Sequence, residues 1–263
     1  MQQLYDYHIH SIYCDGKDTP EQMVLTAIEK GFKILGFSSH KYYEGDENNI
    51  PDYCAEVARL KEKYKGDIDI LLGIEQDYFS TEPTDKFDYV IGSVHYLREK
   101  DESSIIDLEI GIVEDIIKNC YGGSYPKFAK AYFTLVGDVV NKTGADIIGH
   151  FDLCTKYKNR IVLPRDDEYY KAAFEAIEQL IPYKKPFEIN FGAIARGYRN
   201  SPYPDKVILK EIKRRGGEII FNSDCHDRTK LGLNYDIAVR HAIDCGFEGR
   251  VILTKNGKKQ VDF

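Results

Sequence analysis

The chain has 263 residues, of which 43% are hydrophobic and 30% charged, and a formal net charge of −7. That composition suits a soluble globular protein with a substantial core, and the acidic balance argues against stable binding to nucleic acid, which would call for a basic face. No apolar run approaches the roughly 18 residues that cross a bilayer, and Met1 to Asp6 lacks the basic and apolar regions of a signal peptide, so a cytoplasmic protein with no membrane partner is expected.

The first apolar run, near residues 4–9, is a predicted strand and closes on His8-Ile9-His10. A helix start follows: Thr19 is the N-cap, Pro20 takes the first helical position and Gln22 completes a capping box. Glu29-Lys30-Gly31 ends that helix before a strand near 33–38, and a helix over about 52–65 stops at Gly66 before a strand near 68–74. A fourth strand near 88–94 is followed by a stretch, about 97–125, that breaks the rhythm and reads as an insertion. Helices over about 125–143, 167–181, 204–215 and 235–245 then alternate with strands near 146–149, 186–190 and 218–223, with a weaker one near 250–254.

Short β-branched runs alternating with helices imply parallel strands buried on both faces and joined by right-handed crossovers. Seven or eight such units favour a closed barrel, with a doubly wound open sheet as the alternative. No linker interrupts residues 1–263, which read as a single domain. The cysteines at 14, 54, 120, 154, 225 and 245 show no paired spacing and are expected to be reduced thiols.

Six of the seven histidines share one kind of position. His8 and His10 end the first strand, His40 the second, His95 the fourth and His150 the fifth, while His226 follows the seventh; Glu75 ends the third. Side chains two apart on a strand point the same way, so His8 and His10 are expected to share a face, as are Asp224 and His226. In a parallel barrel all these ends open at one mouth. Imidazoles and carboxylates crowded there need a cation to satisfy them. His8, His10, Asp15, His40, Glu75, His95, His150, Asp224 and His226 make nine candidate ligands, enough for two or three divalent ions. Mixed nitrogen and oxygen donors suit zinc, manganese or iron.

His8-Ile9-His10, Cys14-Asp15-Gly16, Ser38-Ser39-His40, Gly73-Ile74-Glu75, Ser93-Val94-His95, Gly149-His150-Phe151-Asp152 and Ser223-Asp224-Cys225-His226 together resemble the PHP (polymerase and histidinol phosphatase) family. The resemblance implies a distorted (β/α)7 TIM-like barrel with a trinuclear centre at the C-terminal mouth of the strands. It also implies a ligand assignment: His8, His10, Glu75 and Asp224 for one ion, Glu75, His95 and His150 for a second, and Asp15, His40 and His226 for a third.

Within that family the chain is most similar to the stand-alone histidinol-phosphate phosphatases, which implies a metal-dependent phosphomonoesterase acting on a small phosphorylated substrate. Where that branch usually has Asn-Thr/Ser-Gly-Leu-Arg, this chain reads Asn190-Phe191-Gly192-Ala193-Ile194-Ala195-Arg196. Glu75 and Asp224 are expected to serve catalysis through the metals. Arg160 is expected to clamp the phosphate, because a guanidinium grips two oxygens at once, with Arg196 and Arg199 as further choices. Asp18, Glu114 and Asp152 could pair with a substrate ammonium. Competing readings are a phosphoesterase of the same family acting on nucleotides or nucleic-acid ends, an amidohydrolase-type enzyme, and a regulatory metal-binding protein.

Overall fold

The protein is described by a computed structural model that covers residues 4–43, 48–98, 101, 104–160 and 163–263. Seven strands form one sheet in the order of the chain: β1 (Leu4–Asp6), β2 (Phe32–Lys41), β3 (Asp69–Asp77), β4 (Tyr89–Ser93), β5 (Ile147–Ile148), β6 (Phe187–Asn190) and β7 (Ile219–Asn222). Every neighbouring pair is parallel. The sheet closes on itself beyond β1 and β7, where His10 N donates to the Cys225 carbonyl at 2.9 Å and Cys225 N to the His8 carbonyl at 3.0 Å. The expected seven-unit barrel is therefore the observed one, and the open sheet is excluded.

The helices α1 (Pro20–Glu29), α2 (Ile50–Lys63), α3 (Ile110–Tyr121), α4 (Tyr125–Thr143), α5 (Asp167–Leu180), α6 (Gly192–Ala195), α7 (Lys206–Arg214) and α8 (Tyr235–Asp244) lie between and after the strands. Thr19 and Gln22 form the expected capping box on α1. α4 ends where Gly144 takes φ +70°, a left-handed conformation that costs glycine little. Its inward stripe, including Phe128, Tyr132, Phe133 and Val136, packs with α5 and α7 residues in the largest hydrophobic cluster. The segment expected as an insertion contains α3; its residues 99–100 and 102–103 lie outside the described ones.

The weaker eighth strand is real but lies outside the barrel. β8 (Gly249–Thr254) pairs antiparallel with β9 (Gly257–Asp262), which the sequence did not suggest. This hairpin seals the N-terminal end of the barrel: the Tyr7 hydroxyl donates to the Leu253 carbonyl at 2.9 Å, and Val251 and Ile252 join Tyr7, Leu71, Tyr89 and Ile147 in the interior core. Tyr89 fills the barrel centre only because its neighbours lack side chains. A Cβ on Gly73 would lie 2.2 Å from the Tyr89 ring. The hairpin covers the N-terminal end of the strands, and the candidate ligands face the opposite end, the C-terminal mouth.

Candidate metal centre

β2 and β3 run in a register that sets His40 beside Glu75, and both are integral strand residues. His95 and His150 each sit two residues past their strands, β4 and β5. Closure of the sheet then brings the β1 and β7 extensions alongside. All nine candidate ligands meet in one cluster, with Glu75 at its centre.

Glu75 Oε2 lies 2.9 Å from His8 Nε2, 3.0 Å from His40 Nδ1 and 3.4 Å from His10 Nε2. Its Oε1 lies 2.9 Å from His150 Nε2 and 3.4 Å from His95 Nε2, and accepts the Ser93 hydroxyl at 2.7 Å. Asp224 Oδ1 stands 3.4 Å from both His10 Nε2 and His226 Nδ1. Asp15, the most exposed of the nine at 53%, lies 3.1 Å from His226 Nε2 and 3.5 Å from His40 Nε2.

The shared face expected of Asp224 and His226 does not come from a strand. β7 ends at Asn222, and Asp224 takes φ +47°, a left-handed conformation that short polar side chains tolerate best among non-glycine residues. The turn is held by Gly192, whose missing side chain lets α6 pack directly on the Ser223 and Asp224 backbone; a Cβ there would lie 2.5 Å from the Ser223 carbonyl oxygen. His8 and His10 also lie past their strand, since β1 ends at Asp6, yet on either side of the isolated Ile9–Cys225 bridge both turn Nε2 to Glu75 Oε2 and so share a face as expected.

Electrostatics show what these groups lack. Burial by itself would raise the Glu75 carboxyl, but the imidazoles of His8, His40 and His95 outweigh it and hold it well below the usual range. Burial would lower His8, yet Glu188, Glu75 and Asp224 hold it well above its ordinary value. His95 is raised likewise, against its burial, by Glu75 and Asp77. His10, buried and flanked by the rings of His226 and His40, is pushed down to about 3. His8 and His95 thus favour their charged forms beside Glu75, a charge-balancing role that a divalent cation fills better.

Geometry supports that fit. His10 Nε2 and His40 Nδ1 are buried without a hydrogen-bond partner although Glu75 is within 3.4 Å, as expected of donor atoms aimed at a common point instead of at each other. Among the described residues, four groups bring ligand atoms within 4.8 Å of one another: His10, Asp15, His40 and His226; His8, His150 and Asp224; His8, His10 and Glu75; and His40, Glu75 and His95. These residues could hold metal ions.

Two carboxylates that the sequence did not single out as site residues stand behind the imidazoles. Glu188 on β6 is fully buried, with Oε1 2.6 Å from His8 Nδ1, while its Oε2 accepts from His150 N at 2.7 Å. Asp77 at the end of β3 accepts from His95 N at 2.6 Å and lies 3.3 Å from His95 Nδ1. A partner such as Glu188 on His8 keeps a proton on Nδ1 and leaves Nε2 free to coordinate. The signal was present for Glu188: a charged residue between Phe187 and Ile189 in a strand buried on both faces needs a partner.

The remaining expected site residues are dispersed. Arg196, just past α6, reaches the cluster, with Nη2 2.8 Å from Asp224 Oδ2 and Nη1 3.1 Å from His226 Nδ1. Arg160 is exposed, with its guanidinium 5.3 Å from the centre of the Tyr198 ring. Asp18 is engaged elsewhere: its carboxylate accepts from Arg228 N at 2.8 Å and ties the loop after β1 to the loop after β7. Asp152 is buried against Arg199 and accepts from Asp205 N at 3.2 Å, so both of these residues brace the structure. Glu114 is exposed on α3. All six cysteines are free thiols, as expected.

Comparison with known proteins gives the same picture. The "Probable histidinol-phosphatase" of Schizosaccharomyces pombe is 25% identical, covering 94% of this chain and 89% of that protein. The "Histidinol-phosphatase" of Lactococcus lactis is 28% identical, covering 84% of this chain and 83% of its own. A crystal structure of histidinol phosphate phosphatase from Lactococcus lactis, complexed with zinc, L-histidinol and phosphate, superposes with a TM-score of 0.69 at 22% identity, covering 97% of this chain and 98% of that one. No helix among the described residues is long and apolar enough to cross a membrane. The PHP domain model matches residues 6–191, a segment that carries seven of the nine clustered ligands, and the chain belongs to the PHP domain family.

Proposed function

We propose that this protein is a metal-dependent phosphoric monoester hydrolase that converts L-histidinol phosphate to L-histidinol and phosphate, a step of histidine biosynthesis. The observation that carries this reading is one buried carboxylate, Glu75, surrounded by five imidazoles within 3.4 Å. The names of the relatives and the zinc, histidinol and phosphate held by the Lactococcus lactis enzyme support the substrate. Residues 1–263 work as one barrel domain, with the segment near 97–125 inserted at the mouth.

Two or three zinc, manganese or iron ions fit the donors: one on His8, His10, Glu75 and Asp224, a second on Glu75, His95 and His150, a third on Asp15, His40 and His226. When bound, such ions supply Lewis acidity and an ionised water near neutral pH. The chain's own residues prepare the rest. Glu188 orients the His8 ring, and Asp77 holds the His95 backbone N–H. Arg196 stands against Asp224 and His226 with a quarter of its side chain exposed, so its guanidinium can meet a phosphoryl oxygen at the edge of the cluster. Arg160, resting on Tyr198 in the loop after β5, supplies a second guanidinium from the rim. Arg196→Ala and Arg160→Ala should each raise KM and lower kcat, with kcat/KM falling about 10- to 100-fold for each charge-assisted hydrogen bond removed. Kinetics left unchanged by either variant remove that arginine from the mechanism.

Metal uptake should also be coupled to protons. His8 and His95 hold protons above their ordinary value in the metal-free protein, and ligation requires neutral imidazole. Binding at pH 7 should therefore release protons, and affinity should rise with pH until both rings are neutral. Calorimetry in buffers of different ionisation enthalpy reads this directly; heats independent of buffer would contradict it.

The deciding experiment offers the metal-loaded protein L-histidinol phosphate, p-nitrophenyl phosphate and nucleotides side by side, with metal content measured. A selective rate on histidinol phosphate is expected. Faster turnover of nucleotides would redirect the reading to nucleic-acid chemistry, and no phosphate release from any ester would refute it.

A further inference from the structure

The segment after β4 does more than link elements. Ile106 N donates to the His95 carbonyl at 2.9 Å, and Tyr96 bridges antiparallel to Ile105. The chain therefore doubles back onto a candidate ligand and delivers Asp107 to the barrel mouth. From the loop after the adjacent strand β5, Lys156 Nζ and the Tyr157 hydroxyl both donate to the Asp107 carbonyl, the latter at 3.0 Å.

The backbone of Asp107 is thus held from two sides while its carboxylate, paired loosely with Lys156, keeps acceptor sites open. Among the described residues that carboxylate accepts no hydrogen bond; Lys156 Nζ approaches it only to 3.5 Å, and the side chain is 26% exposed. Burial by itself would raise Asp107, but Lys156, His95, His150 and His40 outweigh it and hold the group below the usual range, which places an ionised carboxylate facing the imidazole cluster. An aromatic wall adjoins it. Tyr42 stacks on His40 with ring centres 4.6 Å apart and meets Tyr96 edge-on at 5.7 Å.

We propose that Asp107, with the Tyr42–Tyr96 wall, forms the subsite that recognises the cationic, ring-bearing alcohol of the substrate. This rests on the histidinol-phosphate reading and names the residues that make it selective. With the phosphoryl group among the ligands, an ammonium on the carbon beside the ester methylene lies at the rim, where an ionised carboxylate with open acceptor sites can take it. The tyrosine faces accept a cation or a flat ring. Asp18 and Asp152 already accept backbone hydrogen bonds, from Arg228 N and Asp205 N, and Asp152 is fully buried. A site built around a polar partner discriminates strongly against an analogue that lacks it.

The test uses metal-loaded wild type, Asp107→Asn and Asp107→Glu with two ester pairs. One pair is L-histidinol phosphate and its deamino analogue; the other is O-phosphoethanolamine and ethyl phosphate. Asp107→Asn should lose about 10- to 100-fold in kcat/KM on the ammonium-bearing member of a pair, mostly through KM, and less than about 3-fold on the other. Asp107→Glu should recover part of that preference. Equal losses within each pair, or none, overturn the subsite; thermal melting checks that Asp107→Asn folds. Wild type inactive on histidinol phosphate but selective for phosphoethanolamine through Asp107 would sink the histidinol reading and keep the subsite. Wild type that discriminates within neither pair overturns it.

Discussion

Glu75→Gln is expected to lower kcat/KM for a phosphomonoester by about 10³-fold or more, the scale of several kcal/mol of charge stabilisation at a metal centre. No other side chain in the cluster touches as many partners: both carboxylate oxygens lie against imidazoles, and Ser93 donates to one of them. An amide of the same shape keeps the packing but removes the charge and replaces one acceptor with a donor. Added metal should not rescue this variant, because the shared ligand itself is gone. The metal-free protein should weaken as well. Breaking a buried ionic cluster costs about 3 kcal/mol at the lower end, and the low end applies because His8 and His95 can shed their protons. For a chain of this size that is a fall in Tm of roughly 6–12 °C. Wild-type activity or an unchanged melting curve in Glu75→Gln would remove Glu75 from the centre of the site.

Glu188→Gln should behave differently. Glu188 lies behind the ligands, where its carboxylate takes the His8 ring and the His150 backbone N–H and accepts from Asn190 and Asn222 at 3.0 and 2.8 Å. Losing such a partner usually weakens metal affinity about 10- to 100-fold. Activity should fall at limiting metal and return at high metal, so that titration with zinc or manganese separates this variant from Glu75→Gln. An unaltered metal titration would show that His8 is oriented by something else.

Local pattern carried the elements and most of the ligands. Thr19-Pro20-Glu21-Gln22 announced α1, and the run of strand-end histidines from His8 to His226 announced the mouth, because capping chemistry and side-chain alternation act over a few residues. The ligand motifs were legible for the same reason: each occupies a strand end or the turn beyond it. Arg160 and Arg196 could not be ranked that way. Both are arginines in loops, and only folding put Arg196 against Asp224 while leaving Arg160 on Tyr198.

By itself, then, the sequence determined seven or eight alternating strand–helix units, their shared polarity, and which imidazoles and carboxylates would reach one end. Tertiary structure alone decided that β8 folds with β9 beneath the barrel, that Asp224 turns left-handed against Gly192, and that Glu188 braces His8 across 180 residues of chain. Asp107 belongs with these, since its place depends on Ile106 returning to His95. The reason is that periodicity specifies which face of an element is buried, whereas the partner on that face is chosen only when the sheet closes and distant segments come into register.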